Sequence, residues 1–93
     1  MKQYLSINVT GKVQGVYFRA STKLKADELN LKGTVMNLSN GSVQIEVVGE
    51  KESLQKFIDW CHEGPEQAEV LAVEYSQREE NVTYTEFGII RNK

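Results

Sequence analysis

The stretch GKVQGVYFRA, residues 11–20, places two glycines four apart, then apolar residues, then a single arginine. A loop of this kind that feeds a helix can turn successive backbone N–H groups toward one anion. The first amides of a helix have no intrahelical partner, and they sit at the positive end of its dipole. Gly11 and Gly15 would permit the bend, and Val13, Val16 and Phe18 could anchor the loop to a core. Arg19 would add a planar, permanently charged fork that fits two phosphate oxygens. The stretch lacks the Lys-Ser/Thr ending of a nucleotide loop and the glycine spacing of a dinucleotide loop. An ordinary β-to-α connection with a surface arginine has the same pattern, so spacing alone leaves both readings open.

Other residue types capable of chemistry are scarce. His62 is the only histidine and is remote in sequence from the loop. Cys61, the only cysteine, completes an apolar helical stripe and reads as a packed thiol. One cysteine also excludes an internal disulfide and a multi-cysteine zinc site. Ser21 and Thr22 have no evident base, Glu79-Glu80 reads as solvated charge, and no metal-ligand spacing occurs. An enzyme built from this chain would work without histidine, thiolate or metal, which restricts the leaving group. A phosphate ester of an alcohol expels a strong base and usually needs an acid or a metal. A carboxyl–phosphate anhydride expels a carboxylate, whose conjugate acid has a pKa of about 4 and needs no protonation. Holding the phosphoryl group and aiming a water in line would then suffice.

The elements that would position these residues follow from periodicity. Residues 3–10 alternate, with Leu5, Ile7 and Val9 on one face of a strand. Phe18, Thr22, Ala26 and Leu29 share one side of a helix over about 19–30, which LKG, with Gly33, should end. Strands at 34–38 and 43–48 flank LSNGS, where Asn40-Gly41 suggests a tight hairpin with both residues tolerant of positive φ. Leu54, Phe57, Ile58 and Cys61 mark a second helix, stopped by Gly64-Pro65. Strands near 70–76 and 83–90 complete the order. The expected fold is α+β: a ferredoxin-like β-α-β-β-α-β sandwich with an added C-terminal strand. Its two helices would cover one face of a mainly antiparallel sheet. Ninety-three residues suit one domain, residues 1–93. The net charge of −2 argues against a nucleic-acid binder, and no apolar run approaches the ~20 residues that span a bilayer. The expectation is a cytoplasmic protein.

VTGKVQGVYFR, residues 9–19, resembles the first signature of the acylphosphatases through Gly11, Val13, Gln14, Gly15, Val16, Phe18 and Arg19. GTVMNLSNGSVQIEVVG, residues 33–49, resembles their second signature through Gly33, Val35, Asn37, Gly41, Val43 and Gly49. GPEQAEV is similar to the segment after the second helix, so the likeness spans nearly the whole chain. The resemblance implies hydrolysis of small-molecule acyl phosphates to a carboxylate and inorganic phosphate, with no metal and no organic cofactor. It implies that Arg19 binds phosphate and Asn37 orients the attacking water. The backbone amides of Gly15, Val16, Tyr17, Phe18 and Arg19 would form the cradle. Without the family, Asn37 would be an ordinary strand asparagine. Thr34 departs from the pattern, which expects Phe, Tyr or Trp there, and predicts altered packing beside the site without lost chemistry. A monomer is the expected form. The competing expectation is a non-catalytic regulatory module that binds phosphate or a phosphorylated metabolite on the same fold.

Overall fold

Alternation of apolar and polar residues carries the first strand, β1 (Lys2–Lys12), in a computed structural model that describes residues 2–80 and 82–91. Leu5, Ile7 and Val9 of β1 are buried against two helices. The other elements are α1 (Phe18–Glu28), β2 (Lys32–Asn37), β3 (Val43–Glu50), α2 (Lys51–Glu63), β4 (Glu69–Arg78) and β5 (Phe87–Ile90). The sheet order is β4-β1-β3-β2-β5, with every pairing antiparallel except β2 with β5. This is the expected ferredoxin-like arrangement with its added strand. β1, β2 and β5 therefore run in one direction, and their C-terminal ends share one edge of the sheet.

One sheet face and the helices enclose the core. Val43, Ile45 and Val47 of β3 and Leu54, Phe57, Ile58 and Cys61 of α2 are buried, as their spacing predicts. Burying a side chain of this size contributes about 1.5–3 kcal/mol. The opposite face carries a polar ladder between β1 and β3. There Tyr4 and Ser6 donate to the Glu46 carboxylate at 2.7 and 2.8 Å, and Gln44 donates to Ser6 and Glu46 at 2.8 Å each.

Several local expectations are corrected. Helix α1 ends earlier than residue 30, and Asn30 rather than Gly33 makes the turn. Asn30 has φ 61°, its N–H donates to Asp27 O at 3.2 Å, and Leu31 N–H donates to Ala26 O at 2.8 Å. This closes the helix in a Schellman motif with buried Leu31 just beyond it. The hairpin between β2 and β3 is a three-residue loop, Ser39-Asn40-Gly41. Leu38 O accepts from Gly41 N–H at 3.1 Å, and only Gly41 of the Asn-Gly pair has positive φ. Asn40 contributes its side chain instead, accepting from Ser42 N–H at 3.0 Å and from the Ser42 hydroxyl at 2.6 Å. Gly11 lies within β1, where the register to β4 shifts, and a Cβ there would come within 2.2 Å of Glu69 O. The last strand starts at Phe87 and not at residue 83, because the β2 pairing begins at Gly33↔Phe87 and earlier residues have no strand alongside.

Candidate active site

The loop of residues 13–17 joins β1 to α1. Val13, Val16 and Phe18 are almost fully buried, so these three side chains pin the loop to the core. Gly15 has φ 74° and Tyr17 has φ 64°, with Val16 between them on the ordinary side. Alternation of this kind turns neighbouring N–H groups toward a common concavity that suits an anion. Tyr17 is the N-cap of α1. No side chain caps that end, and no acidic residue occupies the first turn. The amides there stay available to a ligand and the positive end of the helix dipole is uncompensated.

Asn37, the last residue of β2, is 18 positions beyond Arg19 in the chain. The fold brings the two to one cavity of about 410 Å³, lined by Gly15, Tyr17, Phe18, Arg19, Asn37 and others. Of the residues expected to cradle phosphate, only Val16 is not among the lining residues, because its side chain belongs to the core. Gln14 connects the two halves. Its Nε2 donates to Leu38 O at 2.8 Å and to Ser42 O at 2.9 Å, joining the loop to the hairpin that begins just after Asn37. Phe18 stacks at a tilt on Trp60, with centroids 5.5 Å apart, which fixes the first turn of α1 beneath Arg19.

Two lining residues, Ile89 and Arg91, were not singled out from the sequence. Period-two alternation from Phe87 puts both on the helix-covered face, a signal present in FGIIR. What the sequence does not show is the parallel pairing that sets β5 beside β2. Among the described residues no carboxylate lines the cavity, and their charge there is positive in an acidic chain. Among the described residues neither arginine forms an ion pair; those present join Lys23–Asp27, Lys25–Glu28 and Arg78–Glu80.

The remaining candidates lie elsewhere. His62 is exposed on α2, outside the cavity. Cys61 is fully buried, and burial pushes its thiol up to about 12, which leaves it inert as a nucleophile near neutrality. Among the described residues no three His, Cys, Asp or Glu side chains gather as metal ligands.

The acylphosphatase family model matches residues 5–89. The chain belongs to the acylphosphatase family. It is 49% identical over 79 residues to an acylphosphatase of Marinobacter nauticus, covering 85% of this chain and 86% of that protein. An acylphosphatase structure from Coxiella burnetii superposes with a TM-score of 0.91 at 39% identity, covering 96% of this chain and 93% of that one. The Bacillus subtilis acylphosphatase structure gives a TM-score of 0.91 at 32% identity, over 97% and 99% of the two chains. Against the acylphosphatase signature, the Thr34 departure falls away from the site. Thr34 alternates with Val35, pairs with Glu46 and Gly88, and is not among the residues lining the cavity. Thr34 therefore lies on the sheet face opposite buried Val35, away from the cavity, and not beside the site as expected.

Proposed function

We propose that this protein is an acylphosphatase that hydrolyses the carboxyl–phosphate bond of small acyl phosphates, releasing a carboxylate and inorganic phosphate. The observation that carries the proposal is one cavity lined by the loop before α1, Arg19 and Asn37. In this mechanism the loop amides and the Arg19 guanidinium hold the non-bridging phosphoryl oxygens. They stabilise the charge that spreads over those oxygens in the transition state. The Asn37 carboxamide orients a water opposite the departing carboxylate. The water oxygen bonds to phosphorus as the phosphorus–acyl oxygen bond breaks, and the carboxylate leaves with the bonding pair. The proton shed by the water passes to a phosphate oxygen, because among the described residues no histidine, thiolate or carboxylate lines the cavity.

We take the working form to be a cytoplasmic monomer. No described helix is long and apolar enough to cross a membrane. The deciding experiment follows benzoyl phosphate hydrolysis with and without EDTA. Steady turnover unaffected by the chelator is expected. No turnover would leave a phosphate-binding module, and loss on chelation would place a metal in the reaction.

A further inference from the structure

The parallel register of β2 and β5 pairs Val35 with Ile89 and Met36 with Ile90. One step on, it brings Arg91 alongside Asn37. Counting by two from buried Val35 and buried Phe87 sets Asn37, Ile89 and Arg91 on the same helix-covered face. All three line the cavity that holds Arg19. Lys23 of α1 donates to Phe87 O at 3.0 Å, so β5 is tied to the helix whose first turn forms the cradle. Among the described residues Arg91 has no ion-pair partner, and no carboxylate of theirs lines the cavity to neutralise it.

In-line displacement puts the attacking water and the acyl leaving group on opposite sides of phosphorus. A cation beside Asn37 therefore lies toward the water side, next to the phosphoryl oxygens and away from the acyl group. We propose, on the acyl phosphate reading above, that Arg91 is a second anion-binding residue that acts on the phosphoryl group and on released inorganic phosphate. Its guanidinium complements that of Arg19 and lowers KM by the same factor whatever the acyl group. The side chain is exposed, so its effect has the modest size of a solvent-facing ion pair.

The test compares wild type, Arg91→Ala and Arg91→Lys, changes at an exposed position that leave the core intact. Inorganic phosphate is titrated against the amide NMR signals of residues 15–19, and KM is measured for acetyl phosphate and benzoyl phosphate. In Arg91→Ala the phosphate dissociation constant should rise roughly two- to fivefold. KM should rise by a matching factor for both substrates, the differences should shrink with added salt, and Arg91→Lys should recover part of the loss. Wild-type phosphate affinity in Arg91→Ala would overturn the assignment, and so would a KM change confined to one acyl group. If wild type hydrolyses neither substrate, the enzymatic reading fails, and the phosphate titration still decides the role of Arg91.

Discussion

The proposed mechanism gives Arg19 and Asn37 different kinds of work, and substitution should separate them. A guanidinium presents two N–H groups in a fixed plane to two phosphoryl oxygens, whereas an ammonium offers one mobile point charge. Arg19→Ala is expected to remove nearly all activity, and Arg19→Lys to restore little of it. In the proposed mechanism Asn37→Ala removes the group that aims the water but leaves the anion cradle. Turnover should fall by about 10²–10³ with a smaller change in KM. Steady-state kinetics with benzoyl phosphate checks the series, and wild-type turnover in either alanine variant would take that residue out of the mechanism. Arg19 was readable because a loop ending in arginine already suggests an anion. Asn37 was not readable from its own surroundings, since a carboxamide at a strand end has no chemical signature; only the second family signature singled it out.

Among the elements, the loop and the β2–β3 hairpin act as one unit through Gln14. Its two donated bonds, at 2.8 and 2.9 Å, reach Leu38 O and Ser42 O and hold the loop against the hairpin that follows Asn37. Gln14→Ala should destabilise the protein by about 1–2 kcal/mol, from two lost side-chain hydrogen bonds in a half-buried position. It should also lower kcat more than phosphate affinity, because the cradle survives but its alignment with Asn37 does not. Denaturant midpoints and kcat together test this. A stability loss with unchanged kcat would make Gln14 a purely structural brace. Sequence periodicity gave the existence of each element but not all of its ends. Asn30 closes α1 because Leu31 can bury itself beyond a left-handed turn, and β5 begins where β2 first offers a partner. Both boundaries depend on neighbours distant in the chain.

At the scale of the molecule, the aromatic contacts Phe18–Trp60, Phe57–Trp60 and Phe57–Phe87 run continuously from the first turn of α1, through α2, to β5. The elements that frame the cavity are thus joined through the core. Cys61 reports on that core. Burial raises its thiol to about 12 from an ordinary value near 8.5, so between these pH values the unfolded chain releases a proton that the folded chain keeps. Its contribution to stability is complete below pH ~8.5 and is lost as pH rises toward 12. Denaturant midpoints measured from pH 7 to 11 should decline, and Cys61→Ala should decline less steeply. Part of the slope should remain, because burial and the Glu46 carboxylate raise Tyr4 in the same direction. An identical slope in wild type and Cys61→Ala would show that the thiol does not titrate as described.

The sequence by itself determined the class of fold and the apolar faces of both helices and the central strands, and it raised an anion site at residues 11–20 without separating it from an ordinary β-to-α connection. These depend on periods of 2 and 3.6 and on local backbone permissiveness, which are properties of neighbouring residues. The tertiary structure alone decided that β5 runs parallel beside β2, that Arg91 enters the cavity with Asn37, and that Thr34 lies away from it. Pairing partners and strand direction are set by which apolar faces can be buried together. That choice is made by residues dozens of positions apart, and no local pattern encodes it.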